Sequence, residues 1–329
     1  MPLSPSEFQQ ISSRAAIDVL LDNYRSIDMV HPRIMTRVEI ATAAPYGHKE
    51  TTLQGSGAPV RRRPGQQIAE VTDGEGFTVR MAIKRYAKKL SIPVEVAESM
   101  DAVGIGNYVR TNTANWGRSF ATMKEELAAG LFNKGRLNAG DATYFDQSYP
   151  GEADPYPKVI YDGESFFGAA HVNKAGTTYG NVVDSTALSA NAFDTAMTLL
   201  TSTNAKDEKD NKIDMPATHL LVPPALRATA MKILMSAQQP GTAQNDANPY
   251  FNAVEPIVWR YLTSSTPWFL GSCGPQAGSR GVIYYDEGEP DFRSWYDEDR
   301  RAFMVSSEIA VGFAVADWRA WVNGNGAAT

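Results

Sequence analysis

The chain has 329 residues, 43% of them apolar and 21% charged, with 37 acidic against 31 basic side chains and a net charge of −6. That balance supports a sizeable core and excludes a protein that grips nucleic acid through a generally basic surface. The single cysteine, Cys273, excludes an internal disulfide, and the longest apolar run, near 309–316, is far short of the ~20 residues that span a membrane.

The length suggests two compact units. Residues 1–24 are predicted to be an amphipathic helix, with Phe8, Ile11, Ala15 and Val19 on one face and Ser6 as a cap. The segment lacks the basic start and continuous apolar stretch of a signal peptide. Residues 25–45 read as extended. The stretch 43–76 has loop composition, rich in Gly and Pro, and carries three consecutive arginines, Arg61, Arg62 and Arg63. Fixing such an arm costs ~1–2 kcal/mol per residue in backbone entropy. Its few apolar side chains cannot offset that, so a neighbouring chain is expected to order it. Guanidinium groups bind carboxylates bidentately, and the acidic residues Asp286, Glu287, Glu289, Asp291, Asp297, Glu298 and Asp299 are the candidate receptor.

A long strand should follow the loop. Phe77, Val79, Met81 and Ile83 alternate with polar or small residues, and Tyr86, Leu90, Ile92, Val94 and Val96 alternate in the opposite phase. A flip of a period-2 pattern predicts a bulge or bend near Lys84–Arg85. Trp116, Phe120, Met123, Leu127 and Leu131 then form one narrow stripe, predicting a helix over about 112–133 that ends near Gly135. The region 138–181 reads as mostly irregular. A helix capped by Ser189 carries Phe193, Ala196, Met197 and Leu200. KDEKDNK (206–212) reads as a solvated loop tip. THLLVP (218–223) reads as a buried strand, and Pro224 opens the next helix. Strand-like pieces follow at 253–259, 267–271 and 281–285. The final segment alternates on odd numbers from Phe303 to Val315, as one kinked strand or a strand pair. The class is α+β, with strands distant in sequence sharing a sheet.

Catalytic signatures are largely missing: no G-x-S-x-G, no phosphate-binding G-x-x-x-x-G-K-[ST] and no H-E-x-x-H. GIGNYV (104–109) lacks the third glycine of a dinucleotide loop. The histidines His31, His48, His171 and His219 share no ligand spacing, so neither a metal nor a cofactor is expected. Asp162, Ser165 and His171 are close enough in sequence to suggest a nucleophile, a base and its orienting group, and a soluble oligomeric hydrolase is the reading of another class. A turn followed by a short apolar strand accounts for them more simply, and His219 reads as a core residue. The acidic cluster 297–299 directly precedes Arg300 and Arg301, which suits a hairpin tip with ion pairs better than a metal site. Trp295, Tyr296, Trp318 and Trp321 read as sheet core or subunit contacts rather than base-stacking platforms.

Several runs carry a resemblance: YDGESFFGAAHVNKAG (161–176), ALSANAFDTAMTLL (187–200), MPATHLLVPPALRATAMKILMS (215–236), NPYFNAVEPIVW (248–259) and YDEDRRAFMVSSEIAVGFAVADWRAWVNG (296–324). In these, and in the order of its elements, the chain resembles tailed-phage major capsid proteins of the Hong Kong 97-type fold, and most of all the Mu-like major head subunits. The resemblance implies an N-terminal arm (1–42) and an extended E-loop (43–82). It also implies a peripheral domain (83–139 and 286–329, spine helix about 112–133) and an axial domain (140–285). It further implies self-assembly as hexamers and pentamers into an icosahedral shell enclosing double-stranded DNA, formed in the host bacterial cytoplasm and residing in the virion. An encapsulin-type nanocompartment is the alternative on the same fold. The implied partners are copies of the chain itself, a separate scaffolding protein, a portal, a decoration protein, and packaged DNA held by weak non-specific contact. Lys49 lies in the implied E-loop, but no Asn and Glu partners match it, so covalent cross-linking is not expected.

Overall fold

The computed structural model describes residues 16–39, 47–53, 61–65, 67, 74–99, 102–136, 160–183, 186–238, 247–274 and 280–324. The first half of the predicted N-terminal helix and most of the predicted flexible arm lie outside these residues. The chain forms two compact units. One comprises residues 1–30, 83–127 and 285–312, the other 31–82, 128–284 and 313–329.

In the first unit, helix α1, described over residues 16–25, packs on α4 (Ala102–Asn133). At 1.5 Å per residue α4 is about 48 Å long, ten residues longer at its start than the apolar stripe predicts. GIGNYV is therefore helical backbone and not a nucleotide loop. Glycines at 104 and 106 weaken a helix, which is why the stripe understates its length. Gly117 is needed for a different reason: a Cβ there would lie 2.2 Å from the Leu20 carbonyl oxygen and 2.9 Å from the Tyr24 amide nitrogen. The two helix backbones touch at this point, and only a residue without a side chain fits between them.

The strands of this unit are β4 (Lys84–Pro93), β12 (Asp291–Asp297) and β13 (Ala302–Val315). Both β4 and β12 are antiparallel to β13, so Val305 is opposite Leu90 on one side and Ser294 on the other. The β12–β13 turn places Arg301 at φ 46, and the Arg301 amide donates to the Glu298 carbonyl at 3.3 Å. The predicted strand ends sooner than its alternation suggests. Pro93 closes β4, and Val94–Ser99 turns into the short helix α3.

In the second unit, residues 31–34 depart from the extended reading of 25–45. Helix α2 (His31–Ile34) precedes β1 (Thr36–Arg37), which runs parallel to β11 (Val282–Asp286). The ribbon β2 (Gly47–Leu53) and β3 (Glu75–Ala82) is antiparallel. The chain breaks between β3 and β4 at Ile83, where the sequence flips phase: Met81, Ala82 and Ile83 are all buried, so the period-2 pattern cannot continue.

The main sheet of this unit has the order β7-β14-β10-β8-β9, built from Val182–Val183, Trp321–Gly324, Trp268–Gly271, His219–Val222 and Glu255–Val258. Residues 321–324 thus pair with β10 and β7 and do not continue the β13 sheet. Around this sheet lie the hairpin β5–β6 (His171–Val172 and Thr178–Tyr179), helix α5 (Ala190–Thr198) and helix α6 (Arg227–Met235). Ser189 caps α5 as predicted, its side chain accepting from the Ala192 amide at 3.2 Å. Pro224 opens a short 3-10 turn that leads into α6.

The core centres on Phe132, near the end of α4. The rings of Phe166, Phe167, Trp259, Phe269 and Trp321 surround it with centroids 4.9–6.2 Å away, mostly edge-on. Across β10 and β14, each tryptophan faces a glycine. Trp268 is opposite Gly324, and Gly271 is opposite Trp321. Each indole lies over the bare backbone of its partner.

Candidate assembly surfaces

The acidic residues fall into two groups. Upstream of the hairpin tip, most carboxylates already hold cations of their own chain. Asp286 accepts from Lys124 Nζ at 2.6 Å, a lysine that is 1% exposed and also donates to the Tyr24 hydroxyl at 2.6 Å. Glu287 pairs with Arg85 at 2.9 Å, Glu289 with Arg25 at 2.6 Å and Asp291 with Arg293 at 2.8 Å. The last three pairs are exposed, so each contributes little to stability. At the tip itself, Asp297 accepts from the Arg300 amide at 3.1 Å and lies 3.9 Å from its guanidinium, while Glu298 and Asp299 are exposed. The hairpin-tip reading of this cluster fits this geometry.

Arg61, Arg62 and Arg63 are exposed and lead into Gly65, whose φ of +81 makes a turn that an L side chain rarely adopts. Lys49 is on β2.

Asp162 and His171 do meet: Asp162 Oδ2 is 2.6 Å from His171 Nδ1, and both are almost fully buried. The imidazole stacks on Trp318 at 4.3 Å between centroids. Ser165 does not complete a relay, because its hydroxyl donates to the Phe167 carbonyl at 3.1 Å. A buried, hydrogen-bonded loop lock accounts for all three residues. His219 is on β8 beside Cys273. Its Nδ1 is 2.8 Å from the Thr218 hydroxyl and 3.2 Å from the Cys273 Sγ, and its Nε2 is 3.4 Å from Glu255. Burial lowers the His219 pKa, with Glu255 opposing, and pushes the Cys273 thiol up to about 11, with the Thr218 hydrogen bond opposing. Such a thiol stays protonated and is a poor nucleophile at neutral pH. Among the described residues no cluster of His, Cys, Asp and Glu has the makings of a metal site.

The loop 206–212 is a turn with Lys209 and Lys212 exposed, as its composition suggests, except at one position. Glu208 is buried and accepts from Arg319 Nη1 at 2.9 Å and from the Lys174 amide at 3.0 Å. Arg319 also lies 3.3 Å from Asp317 and stacks its guanidinium over Trp318. Burial would lower the Arg319 pKa, but Asp317, Tyr161 and Glu208 outweigh it and leave it raised. Burial, with Asp317 and Glu208 adding to it, raises the Tyr161 phenol well above its usual value. Nothing in the run KDEKDNK distinguishes the inward glutamate, because its partner is 111 residues away.

Among the described residues the exposed large apolar side chains are Val96, Tyr108, Val172, Met235 and Phe251. Met235 ends α6, and Phe251 belongs to the following NPYF turn, where the Asn252 amide donates to the Leu234 carbonyl at 2.8 Å.

These surfaces belong to a fold with known counterparts. Residues 75–324 match the family described as phage capsid protein. Among proteins of curated function none matches the sequence. Among solved structures, the chain is similar to the capsid of Ralstonia phage GP4 (11% identity, TM-score 0.52, covering 89% of this chain and 86% of that one). It is also similar to the capsid of cyanophage P-SCSP1u (9% identity, TM-score 0.50, covering 92% and 89%) and to the capsid of a native GTA particle (11% identity, TM-score 0.50, covering 91% and 92%). The family match spans both compact units and includes the long helix, the β12–β13 hairpin and the five-stranded sheet. The chain therefore belongs to the phage capsid protein family, a structural component of the virion shell built on the α+β Hong Kong 97-type fold.

Proposed function

We propose that this chain is the major head subunit of a tailed phage or prophage, of the Mu-like kind, assembling as hexamers and pentamers into an icosahedral shell around double-stranded DNA. The observation that carries this reading is the family match over 75–324, three quarters of the chain. In this reading α4 is the spine of a peripheral domain (83–139 and 286–329), residues 43–82 are an E-loop reaching over a neighbouring subunit, and residues 140–285 form the axial domain. A separate scaffolding protein, a portal and a decoration protein are the further partners. The net charge of −6 suits a wall that encloses DNA without adhering to it. Negative-stain microscopy of the expressed protein, with and without scaffold, is expected to show closed particles of uniform size. Particles from infected or induced cells should carry nuclease-protected DNA. Closed particles with protein cargo and no DNA would instead indicate an encapsulin-type compartment.

Within this reading Arg61, Arg62 and Arg63 clamp an acidic surface on a neighbour. Asp286, Glu287, Glu289 and Asp291 already pair within their own chain. This favours Glu298 and Asp299, exposed at the hairpin tip, as the receptor, with Asp297 beside them. Replacing all three arginines by alanine is expected to leave the subunit's circular dichroism unchanged. Particles of the variant should dissociate at lower temperature and at lower salt than wild type, because such pairs are screened within about 8 Å at physiological ionic strength. Particles of the triple variant that melt like wild type would remove the arginines from the interface.

A further inference from the structure

The β2–β3 ribbon is anchored at its root and pliant beyond it. Val79 and Met81 are buried, and one register runs from Gly47 opposite Ala82 to Thr51 opposite Thr78. Between Thr51 and Leu53 the register shifts. Gly76 lies in the opposite strand there, with Gly74 just before it. An irregularity of this kind bends a strand pair, and glycine in a strand weakens it further. Phe77 stands at the boundary between the two halves. Its half-buried ring is 4.9 Å from the Tyr161 ring between centroids, and the Lys174 ammonium is 4.1 Å from its centre. We infer that Phe77 is a releasable catch: it pins the outer half of the ribbon against Tyr161 and Lys174, and its release lets that half swing about a pivot at Thr51–Leu53. The inference rests on the reading of 43–82 as a segment that engages a neighbouring copy.

The surface that receives the ring is held independently of it. Lys174 is in the turn of the β5–β6 hairpin, where its amide donates to Glu208 at 3.0 Å. The side chains of Asn173 and Thr177, in the same turn, each donate to Asp210 at 2.6 Å. The Tyr161 hydroxyl is 3.5 Å from Asp317, which also accepts from Arg319 at 3.3 Å. Arg319 completes the frame by donating to Glu208 at 2.9 Å. Phe77 therefore docks on a hydrogen-bonded frame that keeps its shape when the ring leaves. The catch is weak because of the kind of contact it makes. Lys174 is exposed, which puts its cation–π contact at the modest end of the range, and a tilted ring pair adds a comparable amount. Contacts of these two kinds together shift a docked-to-released ratio by about tenfold. That is enough to favour the docked ribbon in a free subunit, and little enough to yield when a neighbouring copy binds the released form more tightly.

Amide hydrogen exchange of the full-length subunit at dilution, read by mass spectrometry on overlapping peptides, tests this without assembly. Phe77→Leu and Lys174→Gln are each expected to speed exchange at residues 75–78 several-fold, up to about tenfold. Residues 80–82 at the root, and 219–222 and 268–271 in the main sheet, should exchange as in wild type. Lys174→Arg keeps a cation over the ring and should also exchange like wild type. Should Phe77→Leu fail to fold, Lys174→Gln, at an exposed position, carries the test alone. Wild-type exchange at 75–78 in the folded variants overturns the catch. Equal acceleration in the main sheet also overturns it, because Phe77 would then be ordinary core packing. Exchange is read on the unassembled subunit, so its outcome is separate from whether the chain forms shells.

Discussion

Replacing Gly324 by alanine is expected to destabilise the protein severely, with a melting temperature about 6–12 °C lower than wild type. The added Cβ would lie 2.1 Å from both Cε2 and Cζ2 of Trp268, well inside van der Waals contact. The indole cannot move aside cheaply. It is fully buried, and its Nε1 donates to the Thr186 carbonyl at 3.3 Å. Overpacking a tight core costs about 1–3 kcal/mol and sometimes more. The top of that range applies because the clash is with a rigid aromatic on the neighbouring strand. For a chain of this size each kcal/mol moves the melting temperature by about 2–4 °C. Gly271→Ala should act similarly, since its Cβ would meet Trp321 at 2.5 Å. Thermal unfolding of the full-length subunit, followed by tryptophan fluorescence, reads both. A Gly324→Ala protein melting within about 2 °C of wild type would show that the Trp268 indole has room to shift.

The second large effect is expected at Glu208. Alanine there leaves Arg319 buried with, among the described residues, only Asp317 as a close carboxylate partner, and removes the acceptor for the Lys174 amide. Breaking a buried pair by deleting one partner costs about 3–5 kcal/mol, because the remaining charge is uncompensated. Since Asp317 still opposes the guanidinium, the lower end, about 3 kcal/mol, is expected here. The double variant Glu208→Leu/Arg319→Met removes both charges together. It should recover much of the loss, as apolar replacements of buried pairs do. Urea unfolding of the two single variants and the double variant gives the coupling directly. If Glu208→Ala unfolds at the wild-type midpoint, the pair does not hold loop 206–212 to the C-terminal segment.

The two variants also mark where reading the sequence succeeds and where it stops. The period-2 runs of β3, β4 and β13 and the phase flip beside Ile83 are local patterns; in β4 alternation records the more buried side, whereas in β13, buried on both faces, it records large side chains on one face and smaller ones on the other. The Ser189 cap and the Pro224 helix start are local for the same reason: each depends on residues within one turn. The apolar stripe of α4 predicts a helix and its C-terminal end at Asn133 but misses the first ten residues, whose glycines mask the pattern. The class assignment and the resemblance to phage capsid proteins rest on several such stretches in a fixed order, so they are legible without coordinates.

Alternation says that a strand has a buried face, but it does not name the strand beside it. That residues 321–324 join β10 and not β13 was decided by the tertiary structure, as was the exchange of tryptophan against glycine across that pair. Charge runs are even less informative. Asp286 and Glu208 stand among other acids and differ from them only because Lys124 and Arg319, 162 and 111 residues away, point at them from buried positions. By itself the sequence determined the class, most of the strands and helices and the family. Which charges were turned inward and which glycines were indispensable depended on contacts between distant segments. Those contacts exist only once the chain has folded, and no local pattern encodes them.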